Sequence, residues 1–219
     1  MIDLTQYRII DLSYELVPGE RKIDGRYLWG EPWGGRPIEV QEFSGYNARM
    51  HFIQGQTHIG THVEGCYKYS ETGADMASMP LESYLGEAAA CDFTAKKPGE
   101  AVTAEDLRLA GVKTGDIVLA WASRETADNP AYLTVEATQW LIETRIKLLG
   151  IENIRYSPPG TPFGMGDGDS KLLLAGIPIA DAVHGLDQIK KKRVFFIALP
   201  IKLHRVTATW TRAIALEEI

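Results

Sequence analysis

At 219 residues the chain is long enough to bury a substantial core, and residues 1–219 read as a single domain. Apolar residues at 45% and charged residues at 24% are ordinary for a globular protein, while a net charge of −6 argues against a nucleic-acid partner, which needs a basic face. With no apolar run near the roughly 18 residues of a membrane span, no signal-peptide pattern at the start and only Cys66 and Cys91 as cysteines, a cytoplasmic protein without membrane contact or disulfide framework is expected.

Tyr7 to Ser13 reads as a strand that enters a turn at Pro18-Gly19. Residues 19 to 37 are rich in glycine and charge and carry Trp29 and Trp33, as a long loop would. These indoles either line a pocket for a flat substrate or cover an edge of the core, and loops of this length are often functional. Pro37 to Phe43 and Arg49 to Ile53 alternate like strands of a sheet with one wet face, and the second delivers the chain into the stretch Thr57 to Lys68.

That stretch holds two of the five histidines, His58 and His62, at i and i+4, with Glu64 two residues beyond. Two neutral imidazoles and a carboxylate form a donor set that suits zinc or manganese. A helix would place both rings on one face. An irregular segment would use Gly60 to fold the backbone tightly around one ion. An isolated pair of this spacing is more often two ordinary histidines, but Glu64, Gly60 and Thr61 weigh against that here. Cys66 can be a thiolate, or simply a small residue that fills space.

Beyond the stretch, Tyr69 to Ser78 is polar and turn-like, Pro80 to Leu85 suits a short helix and Ala88 to Phe93 a strand. Thr103 with Asp106 three residues on marks a helix start, and Gly111 a stop. Asp116 to Trp121 and Lys147 to Ile151 are short apolar runs of the kind that form buried strands. Between them Thr134 caps a longer helix, with Ala137, Trp140, Leu141 and Thr144 at helical spacing and Trp140 directed to the core. Tyr156 to Asp169 is full of Pro, Gly and Asp and reads as a loop, followed by a short helix from Ser170 to Ala175. The basic run Lys190 to Arg193 reads as a solvated turn, and Arg193 to Leu199 and Thr209 to Leu216 as the last strands. Strands and helices alternate only in the middle, which predicts a mixed α/β fold. No G-x-S-x-G elbow is present, and the glycines of 164 to 168 do not follow a strand, so serine-hydrolase and phosphate-cradling chemistry are disfavoured.

His58, Gly60, Thr61 and His62 match the H-x-G-T-H-x-D-x-P-x-H signature, and the stretch resembles the cyclase family of metal-dependent hydrolases, which includes bacterial kynurenine formamidase and isatin hydrolase. Glu64, Cys66 and Lys68 stand where the family has Asp, Pro and His. Ile9 to Ser13 with Pro18-Gly19, Gly115 to Leu119, Gly176 to Ile179 and Ala198 to Lys202 follow in the family's order. The resemblance implies a swivelling β/β/α domain, a mixed sheet with flanking helices, assembled as a homodimer or higher homo-oligomer. It also implies hydrolysis of an amide, cyclic amide or lactone in a small-molecule substrate by a metal-activated water. His58, His62 and Glu64 would be the metal ligands. Counting back along the family's second half-site places Asp181 at its Glu and Asp169 at its His. Lys68 cannot ligate a metal while protonated, so one divalent ion, Zn2+ or Mn2+, is expected rather than two. Lys68, Asp169 and Asp181 are then the catalytic candidates, and Trp29 and Trp33 the substrate-binding ones. Lys68 can bind a substrate carboxylate, stabilise developing negative charge, or act as a base if its pKa falls. Asp167-Gly168-Asp169 can equally be a turn with solvated carboxylates, and His184 a core histidine or a spare proton carrier. A metal-assisted dehydratase or cyclase and a non-catalytic ligand-binding protein are the alternatives.

Overall fold

Sixteen strands and three α-helices are found among the described residues of the computed structural model, which are 3–20, 22–23, 26–27, 37–126, 128–162, 164 and 166–219. In chain order they are β1 Tyr7–Asp11, β2 Lys22–Ile23, β3 Arg26–Tyr27, β4 Glu39–Gly45, β5 Ala48–Gln54, β6 His62–Glu64, β7 Leu85–Asp92 and β8 Ala101–Val102. Helix α1 Ala104–Leu109, β9 Ile117–Trp121, β10 Ala131–Leu133, α2 Val135–Thr144, β11 Leu148–Glu152 and β12 Ile154–Arg155 follow. The chain ends with α3 Gly168–Leu174, β13 Ile179–Asp181, β14 Arg193–Ile197, β15 Ala208–Trp210 and β16 Ile214–Glu218.

Nine strands form one mixed sheet in the order β1-β16-β14-β7-β9-β11-β13-β6-β15, parallel only from β7 to β13. Strand β16 stands second in that order and β15 ninth, seven spacings apart, which in a flat sheet would be roughly 34 Å. Yet only residues 211 to 213 join them, a reach of about 14 Å from Trp210 to Ile214. The sheet must therefore curl until its edges meet. Across the seam His184 N–H donates to the Leu12 carbonyl at 3.0 Å, and Ser13 bridges Val183. The single strand expected over Thr209 to Leu216 is thus two strands, because an apolar alternation does not register a corner.

Alternation sorts the central strands between two cores. Ile117, Leu119 and Trp121 of β9 face inward with Leu12, Val63, Tyr84 and Phe196. Val118 and Ala120 face outward onto α1 and α2 with Leu107, Leu133 and Leu141. Both faces of these strands are buried, as expected of a parallel segment covered by helices. Thr103 and Asp106 form the capping box at α1, and Thr134 caps α2. Trp140 is half-buried against the outer core, under the guanidinium of Arg108.

The ribbon β4–β5 departs from expectation. Its two strands pair with each other over seven registered positions, and nearly every residue is exposed. Gln41, Phe43, Met50 and Phe52 share one face, with Phe43 50% and Phe52 56% accessible, so no described residue covers this apolar side.

Candidate metal centre

The stretch Thr57 to Gly60 is a bend rather than a helix, and His62 opens β6. Gly60 takes φ +62°, and a Cβ there would lie 2.5 Å from Leu16 Cδ2, so both the left-handed backbone and the close packing require glycine. His62 and Glu64 are two apart on a strand and therefore point to the same face. Asp181 of β13 sits directly opposite His62 in the antiparallel register and joins that face from the neighbouring strand.

The three expected ligands meet. One donor atom from each of His58, His62 and Glu64 lies within 4.8 Å of the other two, the only such group among the described residues. Glu64 Oε1 is 2.6 Å from His58 Nδ1 and 3.2 Å from His62 Nε2. Ligand-to-ligand edges around a tetrahedral ion with bonds near 2.0–2.1 Å are about 3.3 Å, so the His62 separation already matches and the His58 separation would open by about 0.7 Å. The environment of His62 supplies a further test. Its ring is buried, its Nδ1 faces the Gly60 carbonyl at 2.8 Å and its Nε2 faces a carboxylate. A neutral imidazole carries only one N–H, so a cation, either a proton or a metal, is needed between His62 and Glu64. The donor set therefore fits a divalent ion, and the Gly60 carbonyl fixes the tautomer that leaves Nε2 free for it.

The charges respond to this crowding. Burial opposes a charged His62 ring, but Glu64 and Asp181 overcome it and raise its pKa. Burial likewise works against the Glu64 carboxylate, and hydrogen bonds from both histidines hold it well below the usual carboxylate range. Lys68, on a short 3₁₀ turn Cys66–Lys68, donates at 2.9 Å to Glu64 Oε2 and at 2.9 Å to Asp169 Oδ2. Its pKa is raised by those two carboxylates despite burial, so it stays protonated, and the role of base through a lowered pKa is not supported.

Asp169 lies in the first turn of α3, 3% exposed, and accepts from Lys68 and from Tyr69 Oη at 3.1 Å. The reading of Asp167-Gly168-Asp169 as a turn with solvated carboxylates is thereby corrected. Both aspartates are buried, and Asp167 caps α3 by accepting from Ser170 N–H. Asp181 Oδ2 is 3.9 Å from His62 Nε2, and its Oδ1 accepts from Tyr156 Oη at 3.1 Å. His184 stands away from this cluster, stacked on Tyr14 with ring centroids 4.2 Å apart. Trp29 and Trp33 lie outside the described residues.

Three contacts were not anticipated. Thr207 Oγ1 lies 2.9 Å from His58 Nε2, Tyr69 holds Asp169, and Tyr156 holds Asp181. Tyr69 had a signal in its position beside Lys68. Thr207 and Tyr156 had none, since they reach the site from distant elements.

Kynurenine formamidase of Erythrobacter litoralis is 29% identical over 223 residues, covering 97% of this chain and 95% of the relative. Isatin hydrolase A from Labrenzia aggregata superposes with a TM-score of 0.78 at 20% identity, over 98% of this chain and 95% of the other. A predicted metal-dependent hydrolase from Bacillus stearothermophilus gives 0.74 at 19%, over 97% and 99%. The Cyclase family model matches residues 10–157, which include His58 and the β6 residues His62 and Glu64. The chain belongs to the Cyclase family.

Proposed function

We propose that this protein is a metal-dependent hydrolase that opens an amide, cyclic amide or lactone in a small-molecule substrate. The observation that carries the reading is the convergence of Glu64 Oε1 with the imidazoles of His58 and His62. A divalent ion, Zn2+ or Mn2+, held by these three would polarise a carbonyl and bring the pKa of a water toward neutrality. Asp181, fixed by Tyr156 and by its own neighbour's N–H, keeps Oδ2 turned to the centre, where it can take a proton from the attacking water. The Lys68 ammonium lies beside the ligand carboxylate and supplies positive charge for an oxyanion. The names of the relatives, a formamidase and isatin hydrolases, favour a C–N bond. The open apolar face of β4–β5 supports a homodimer or higher homo-oligomer, since an isolated two-stranded ribbon is marginal in water.

Metal-free protein reconstituted with zinc or manganese should hydrolyse members of a panel of aryl formamides, lactones and cyclic imides, and sediment as an oligomer. His62→Ala should lose both the ion and the activity. Product without oxygen from labelled water would assign a dehydratase or cyclase instead. A chain that retains no stoichiometric metal would be a ligand-binding protein.

A further inference from the structure

Glu64 divides its two oxygens between two kinds of cation partner. Oε1 is turned to the imidazoles, while Oε2 receives the Lys68 ammonium at 2.9 Å. The same ammonium holds Asp169 Oδ2 at 2.9 Å, so one positive charge joins two buried carboxylates carried by different elements, β6 and α3. Lys68 is itself largely buried, its side chain 17% accessible, with the Tyr69 ring centroid 5.3 Å from Nζ. Two carboxylates from separate elements that converge on one point charge are the arrangement in which a bridging metal ion would be held.

We propose that Lys68 is a built-in second cation, which confines the centre to a single metal ion and masks a latent second ion site between Glu64 and Asp169. The inference rests on the reading of His58, His62 and Glu64 as the ligands of the first ion. Three consequences follow from the geometry. Glu64 is limited to one ligating oxygen, because Oε2 is committed to the ammonium. The Asp169 carboxylate is neutralised by the chain and not by a metal. A second divalent ion at the same two oxygens would have to displace or repel a charge already seated there.

The test is ion stoichiometry, read on metal-free protein titrated with MnCl2 by calorimetry, elemental analysis and Mn2+ electron paramagnetic resonance. Wild type and Lys68→Arg, which keep the charge, should each take up one Mn2+ per chain with a mononuclear spectrum. Lys68→Met and Lys68→His keep both carboxylates and remove the fixed charge. Each should take up two, with the spectrum of an exchange-coupled pair. A lysine with a merely structural role would lower stability in these variants without adding an ion. Two ions in the wild type would overturn the proposal, and this arm needs no variant to fold. One ion in folded Lys68→Met and Lys68→His would overturn it equally. No ion in the wild type would defeat the metal-centre reading itself, a result distinct from either.

Discussion

Asp169 is held against its preference for water. Burial raises its pKa, the hydrogen bond shared with Asp167 adds to this, and the Lys68 ammonium only partly opposes them, leaving it at about 7 against an ordinary 3.8. In metal-free protein the folded chain therefore keeps a proton between roughly pH 4 and 7 that the unfolded chain has released. Stability therefore falls as pH rises through that window, by at most about 1.4 kcal/mol per pH unit. Asp169→Asn removes this titration, so the wild type should lose stability relative to the variant as urea unfolding moves from pH 4.5 to 6.5. A difference that stays constant with pH would contradict the assignment. At this scale the sequence showed what was local. His58, His62 and Glu64 lie within one short stretch and could be read together, as could Lys68 beside them. Thr207 and Tyr156 could not, because their place in the site is created by the pairing of β6 with β15 and by the course of the chain after β12.

The element that seats Asp169 is α3, and its position depends on Gly168. A Cβ at Gly168 would lie 1.9 Å from the Tyr156 carbonyl oxygen, and its N–H donates to Ser157 Oγ at 2.7 Å. The glycine is there for close approach between helix and preceding loop, which a turn-like Asp-Gly-Asp string does not reveal. Gly168→Ala should force the backbones apart and cost about 1–3 kcal/mol in urea unfolding. The displaced first turn should also loosen Asp169 from Lys68. An alanine variant as stable as wild type would show that the loop yields freely. Other elements were plain from sequence where a local device sets them, as Thr103 and Asp106 do for α1 and Thr134 for α2. The parallel sheet β12-β10-β8 was missed because strands of two or three residues carry no usable alternation. The corner between β15 and β16 was missed because it is fixed only by the curl of the whole sheet.

That curl is where architecture and chemistry meet in the whole molecule, and Thr61 sits on the seam. Its hydroxyl donates to the Ala182 carbonyl at 2.7 Å and accepts from Tyr14 N–H at 2.9 Å, while its carbonyl accepts from Thr211 N–H at 3.2 Å. One buried residue thereby ties the N-terminal segment, the end of β13 and the chain after β15 to the junction between the bend of His58 and the strand of His62. Ala182 adopts φ 50°, a conformation uncommon for a residue with a side chain, and it directly follows Asp181. The seam thus helps to set the distance between Asp181 on one strand and His62 on the next. Thr61→Val keeps the shape but deletes the hydroxyl on which the Ala182 carbonyl and the Tyr14 amide both rely. The expected cost is about 1–3 kcal/mol of stability, together with weaker metal binding as the bend loses its anchor. Thr61→Ser retains the hydroxyl and should recover most of both. If Thr61→Val matched wild type in urea unfolding and in Mn2+ affinity, the seam would be held by backbone pairing alone, and the spacing of Asp181 from His62 would have to come from β13 and β6 themselves.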